Sequence, residues 1–140
     1  MAIAIRMKRI DSYWWGAIGI VLALICVSAK ADIYVIAHHD TRITVDQIKE
    51  IYTGERRFAG QILLKPVDNG LWQSAFLASA LNLDISGYNT IWIRRSFREG
   101  QNPPPVKSGD DAVINFVRNE PGAVGYVTSQ PRGVNIVHKY

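Results

Sequence analysis

The chain has 140 residues, with 16 Lys+Arg against 12 Asp+Glu and a formal net charge of +4. Four of those bases (Arg6, Lys8, Arg9, Lys30) and one acid (Asp11) fall in the first 31 residues, so the remainder carries 12 and 11, a net charge of +1. The high isoelectric point therefore belongs to the N-terminus, and a nucleic-acid partner, which would call for a basic face, is not expected.

The N-terminus reads as a targeting segment. A basic start leads into an uninterrupted apolar run from Ile18 to Val27 (IGIVLALICV), and Ala29 and Ala31 then form an A-x-A pattern. This is the layout of a secretory signal peptide cut after Ala31. The run falls short of the ~20 residues that span a bilayer; an uncleaved anchor is the alternative. Contact with the membrane is expected only through this segment. Cys26 lies behind Ile25, which is not small, so lipidation is not expected. From Asp32 onward there is no cysteine and hence no disulfide. The 109 residues that remain suit one domain with its own core, and the expected location is the periplasm.

Ile33–Ala37 (IYVIA) is short, apolar and rich in β-branched residues. It predicts a strand buried on both faces, as in a parallel sheet. Thr44 with Gln47 makes a capping-box pattern, Val45, Ile48, Ile51 and Tyr52 share a helical face, and Gly54 is the stop. Arg56 and Arg57 follow in a loop. Ile62–Val67 predicts a second strand. Leu71–Leu81 predicts a helix whose apolar residues surround it, so burial on all sides is expected. Asp84–Phe97 reads better as a helix capped by Ser86, with Tyr88, Ile91, Trp92 and Arg95 on one side, although TIWIRR also suits a short strand. Gly100–Ser108 (GQNPPPVKS) reads as an extended, semi-rigid linker. Ser108–Asp111 opens a further helix with Ala112, Val113, Phe116 and Val117 as its buried stripe, and Pro121-Gly122 ends it. Ala123–Thr128 and Val134–His138 predict two closing strands. The alternation predicts an α/β single domain with helices packed on a mixed β-sheet.

Among the candidate sites, the turn Asp68-Asn69-Gly70 leads. A strand there meets a helix, and the NH groups of Gly70, Leu71 and Trp72 would be free to hold an anion. Asp68 at its lip opposes a dianion unless it accepts a proton from the ligand; the alternative is that Asp68 or Asn69 merely caps the helix. Ser74 is the nearest hydroxyl. Arg94 or Arg95 offers a guanidinium, but adjacent helix positions point ~100° apart, so at most one faces a given cleft. His38-His39-Asp40 is not expected to hold a metal, because successive strand residues face opposite sides. Trp72, Trp92, Tyr88 and Phe97 read better as core than as a groove. No catalytic constellation stands out, so neither an enzyme nor a cofactor is expected.

Three stretches carry a family resemblance. TVDQIKEIYTGERRFAGQILLKPVD resembles the segment of phosphate-transporter substrate-binding proteins in which a short helix ends in I-(F/Y)-x-G before a strand. PGAVGYV (Pro121–Val127) is similar to their PGAIGY segment, and WIRRSFREGQNPPP resembles the matching region of their short single-domain relatives. The resemblance implies part of a type-2 periplasmic binding-protein fold and noncovalent binding of phosphate or another small oxyanion. A membrane transporter or another periplasmic protein is the implied partner. The chain departs from the family in being much shorter than a full-length member. It also lacks the Arg-Ser-x-Gly-Ser-Gly-Thr loop after the "PV" strand, so the family's phosphate ligands do not carry over. That departure favours a second expectation, a protein-interaction or structural module that keeps the fold without the ligand.

Overall fold

The apolar run at the start of the domain does become a central strand, and the rest of the fold is arranged around it. In this computed structural model, which describes residues 30–140, the chain runs β1 (Tyr34–Ala37), α1 (Val45–Tyr52), β2 (Phe58–Ala59), β3 (Ile62–Leu63), β4 (Lys65–Pro66) and β5 (Asp68–Asn69). It continues with α2 (Gln73–Phe76), a π turn over Leu77–Leu81, α3 (Ile85–Glu99), β6 (Val106–Lys107), α4 (Asp110–Asn119), β7 (Ala123–Val127) and β8 (Asn135–Lys139). The expected signal peptide lies almost wholly outside the described residues. Among those residues no helix is long and apolar enough to cross a membrane.

The main sheet has the order β4-β7-β1-β8. β1 is antiparallel to both neighbours, and β4 pairs parallel with β7. The sheet is mixed, as expected, but the parallel setting expected for β1 is corrected. An apolar strand reports cover on both faces and not the direction of its partners. Alternation along β1 shows that cover directly. Val35 and Ala37 enter a core with Ile48, Ile51, Tyr52, Phe76 and Trp92, while Ile36 enters a second core with Val67, Val113 and Val117. Helices α1 to α3 thus pack on one face and α4 on the other, an α/β single domain.

Local signals account for most of the boundaries. The expected Thr44–Gln47 capping box forms, with the Gln47 side chain accepting from the Thr44 NH at 3.1 Å, and Gly54 at φ +78° ends α1. Asp84 caps α3, its Oδ1 accepting from the Gly87 NH at 2.7 Å, so it takes the place expected of Ser86. Tyr88 and Trp92 are buried along the expected side of α3, and the strand alternative for TIWIRR is excluded. Gly122 is irreplaceable for a geometric reason: its φ is +84°, and a Cβ there would overlap the Leu63 carbonyl oxygen.

Three expectations are corrected. The strand foreseen over Ile62–Val67 is divided among β3, β4 and β5, and β3 forms a hairpin with β2. The expected linker contains β6, which pairs parallel with β5 in the register Asp68↔Val106 and Asn69↔Lys107. The segment Leu71–Leu81 is buried on one side only, through Phe76, Leu77 and Leu81, whereas Leu71 is 72% exposed. Within it α2 passes directly into the π turn, which Asn82, at φ +54°, terminates.

Candidate functional site

The turn that opens α2 is built almost entirely of internal bonds. The Gly70 NH donates to the Lys107 carbonyl at 2.8 Å, as part of the β5–β6 pairing. The Leu71 NH donates to Asn69 Oδ1 at 3.2 Å and the Trp72 NH to the Asn69 carbonyl at 3.0 Å. All three donors expected to be free are therefore used inside the chain. The expectation failed because β6 was concealed in a proline-rich stretch, and because Asn69 folds its side chain back as an Asx turn.

Asp68 and Asn69 are buried and serve as a hub. The Tyr88 hydroxyl donates to Asp68 Oδ2 at 2.7 Å and the Tyr126 hydroxyl to Oδ1 at 2.9 Å. Burial pushes the Asp68 carboxyl above the usual carboxylate range, and hydrogen bonds from Tyr88, Tyr126 and Gln73 pull against that shift. Burial, and then the adjacent Asp68 carboxylate, push both tyrosine hydroxyls well above their ordinary value. Asn69 Nδ2 donates to Asp110 Oδ1 at 2.9 Å and to the Tyr126 carbonyl at 3.1 Å. Asp110 Oδ2 in turn accepts from the Thr128 hydroxyl at 2.8 Å. The two tyrosines were read in the sequence only as a helix-face aromatic and as part of the PGAVGYV stretch. A buried carboxylate requires donors, and that requirement was the available signal.

The remaining expected residues lie apart from this hub. Ser74 is exposed and Trp72 half-buried against the main core. Arg95 donates from Nε to the Thr53 carbonyl and from Nη1 to Glu99 Oε2 at 3.0 Å. It thus caps the C-terminus of α1, where the helix dipole favours a cation. Tyr88 and Arg95 are seven residues apart on α3, ~10 Å along the axis. The arginine pair is therefore not brought to the Asp68 turn. Arg94 lines a separate cleft of about 380 Å³ with Lys49 and Arg98, but Glu55 and Glu99 line it too. Phe97, expected in the core, is 94% exposed on the outward side of α3, beside Ile93 at 68%.

A larger cleft of about 550 Å³ lies between β4 and the segment Pro103–Pro105. Ile51, Leu64, Trp92 and Phe116 are among its apolar walls, and Arg56, Arg57 and Lys65 are its charged residues; no carboxylate lines it. Arg56 pairs with Glu50 at 2.7 Å and Lys65 with Glu120 at 3.1 Å, whereas Arg57 enters no ion pair among the described residues. The sequence marked Arg56-Arg57 only as a loop pair, because nothing in it placed the prolines opposite.

His38, His39 and Asp40 sit in a turn beyond β1, so the strand alternation that argued against a shared ion does not apply to them. Their ligand atoms lie within 4.8 Å of one another. His38 Nδ1, however, already accepts from the Asp40 NH at 3.2 Å, and His39 Nε2 lies 3.3 Å from Asp40 Oδ2.

No family model matches the sequence, and no curated protein does. Solved structures are similar in fold. A putative phosphate ABC transporter substrate-binding protein with bound phosphate, from Clostridium perfringens, superposes with a TM-score of 0.51 at 19% identity, over 77% of this chain and 45% of that one. PstS from Borrelia burgdorferi gives 0.48 at 17% identity, over 70% and 44%. An ABC-type phosphate transport receptor from Vibrio cholerae gives 0.48 at 16%, over 77% and 46%. The chain spans less than half the length of each. The likeness to the first is one of fold: this domain resembles part of a phosphate substrate-binding protein, as the sequence motifs implied.

Proposed function

We propose that this chain is an exported, noncatalytic binding module that holds a small oxyanion, phosphate first, in the cleft between β4 and Pro103–Pro105. One observation carries the reading: Arg56, Arg57 and Lys65 line this cleft without any carboxylate. Guanidinium and ammonium groups attract an oxyanion by charge and by directed hydrogen bonds. The fold likeness to a protein with bound phosphate supports the choice of ligand class. The Arg94 cleft suits an anion less, since Glu55 and Glu99 line it. Bound there, the oxyanion would be offered to a membrane transporter or to phosphate sensing, and the N-terminal signal would deliver the module to the periplasm.

Isothermal titration of the protein with phosphate, sulfate and dicarboxylates tests the reading. Saturable heat with phosphate is expected, weakening as salt is added because the cations are partly exposed. No heat and no thermal shift at millimolar ligand would sink it.

A second reading has its own observation. Ile93 and Phe97 stand exposed four residues apart on α3, where (i, i+4) side chains share a face. Such a pair suits a protein partner. Pull-down from a periplasmic extract that succeeds with the native chain and fails with Phe97→Ser would favour this interaction role.

A further inference from the structure

An inorganic anion uses only the cationic groups of the β4 cleft, and most of the cleft is apolar. Ile51, Leu63, Trp92 and Phe116 contribute to a volume of about 550 Å³, within the range of ~300–1,000 Å³ typical of sites that enclose organic ligands. Leu63, although 46% exposed, contributes to that lining. The charged groups are all of one sign. The chemistry thus pairs an apolar chamber with cationic side chains.

We propose that the ligand of this cleft is an amphiphilic anion, an organic phosphate ester whose head meets Arg57 and Lys65 and whose apolar body lies against Leu63, Trp92 and Phe116. This rests on the reading of the cleft as an oxyanion site and narrows its ligand class.

The backbone excludes the obvious competing occupant, an extended peptide added to the edge of β4. Strand addition requires free NH groups along the edge. The Leu64 NH donates to the Arg57 carbonyl at 2.8 Å and the Lys65 NH to the Gly122 carbonyl at 2.8 Å. Pro66 has no NH, and the Val67 and Asp68 NH groups donate to the Val124 and Pro105 carbonyls. The edge from Leu64 to Asp68 therefore offers a peptide no donor. What the cleft retains is charge and apolar surface, which a small amphiphile uses and a strand does not.

Titration of the purified protein with inorganic phosphate, hexyl phosphate and hexanol separates the claims. Each buried CH₂ tightens binding roughly fourfold, so three buried methylenes give roughly sixty-fold. Hexyl phosphate is expected to bind at least tenfold more tightly than phosphate, and hexanol much more weakly than either. Leu63→Ser, at an exposed hairpin position, is expected to lower hexyl phosphate affinity by a clearly larger factor than it lowers phosphate affinity. If hexyl phosphate and phosphate bind equally, the amphiphile is refuted and the oxyanion reading stands. If neither binds, both fall. Sedimentation with phosphatidylglycerol vesicles in the absence of binding to the soluble ester would assign the cleft to a lipid surface and overturn the proposal.

Discussion

Removing Asp68 should cost stability and leave anion binding intact, because the turn it occupies is spent on holding the fold together. The magnitude follows from its two partners. Asp68→Ala deprives the Tyr88 and Tyr126 hydroxyls of their acceptor. Both residues are buried, and a buried group left unsatisfied costs about 1–3 kcal/mol, giving roughly 2–6 kcal/mol for the pair. Against this, the substitution releases a carboxyl whose ionised form is disfavoured by burial. The net expectation is about 2–4 kcal/mol, a large share of the ~5–15 kcal/mol that holds a typical domain. Asp68→Asn keeps an acceptor and should cost less than about 1.5 kcal/mol. The two variants also differ in pH dependence. The folded-state pKa of Asp68 lies above its ordinary value, so the folded chain binds the proton more tightly than the unfolded one. The stability linked to that proton is fully present below ~4 and is lost as pH rises through the folded value. The asparagine variant should show a flatter profile across that window. Urea unfolding followed by circular dichroism between pH 4 and 8, alongside phosphate titration at pH 7, reads all three quantities. An Asp68→Ala protein as stable as the parent, or one with normal stability and abolished phosphate binding, would refute the structural role.

Arg57→Ala is expected to weaken phosphate binding about 5- to 10-fold, the share of one partly exposed charge-assisted contact, while Arg94→Ala changes it less than twofold; titration calorimetry at low salt distinguishes the clefts. Gly122→Ala should lower the melting temperature by more than about 10 °C, because both the positive φ and the Leu63 carbonyl oppose a Cβ; unchanged melting would contradict the packing of β3 against the start of β7. Tyr52, Tyr88 and Tyr126 have hydroxyls raised mainly by burial, so the folded state favours their neutral forms. Their contribution is complete below ~10 and lost as pH rises further; absorbance at 295 nm should show these three ionising only as the chain unfolds, and reversible ionisation near pH 10 with the fold intact would overturn that.

Legibility in the sequence followed the range of the interactions involved. The helices α1, α3 and α4 were readable because an apolar stripe and a stop lie within about fifteen residues of one another, although α3 is capped by Asp84 and not Ser86, and α4 starts at Gly109 without a side-chain cap. β1 was readable as a buried strand because both of its faces are apolar, but the direction of its partners was not, since those partners come from the far end of the chain. The β5–β6 pairing joins positions nearly forty residues apart and uses backbone atoms, which leave no compositional trace. That one pairing removed the Gly70 donor and with it much of the expected anion cradle. Phe97 was misplaced for a related reason. It falls one turn beyond Ile93 on α3, where an apolar residue at helical spacing reads as core unless the neighbouring element is known to be absent.

The loop and the cleft differ in what they leave unspent. A phosphate-type loop holds an anion by unspent backbone NH groups, and such groups must be kept free of internal partners to remain useful. Here Asn69 alone accepts from both Leu71 and Trp72, and Asp68 brings a carboxyl to the same place. An anion at that turn would have to displace the internal acceptors and face a negative charge. In the cleft beside β4 the balance is reversed. Arg57 has no ion-pair partner among the described residues, Lys65 shares only a half-exposed one, and no carboxylate intrudes. Exposed pairs of this kind are worth ~1 kcal/mol or less, so an arriving oxyanion competes with little. The chain therefore spends its backbone donors on folding and leaves side-chain cations unspent, and the proposed anion site is to be sought where charge, rather than a helix start, is unspent.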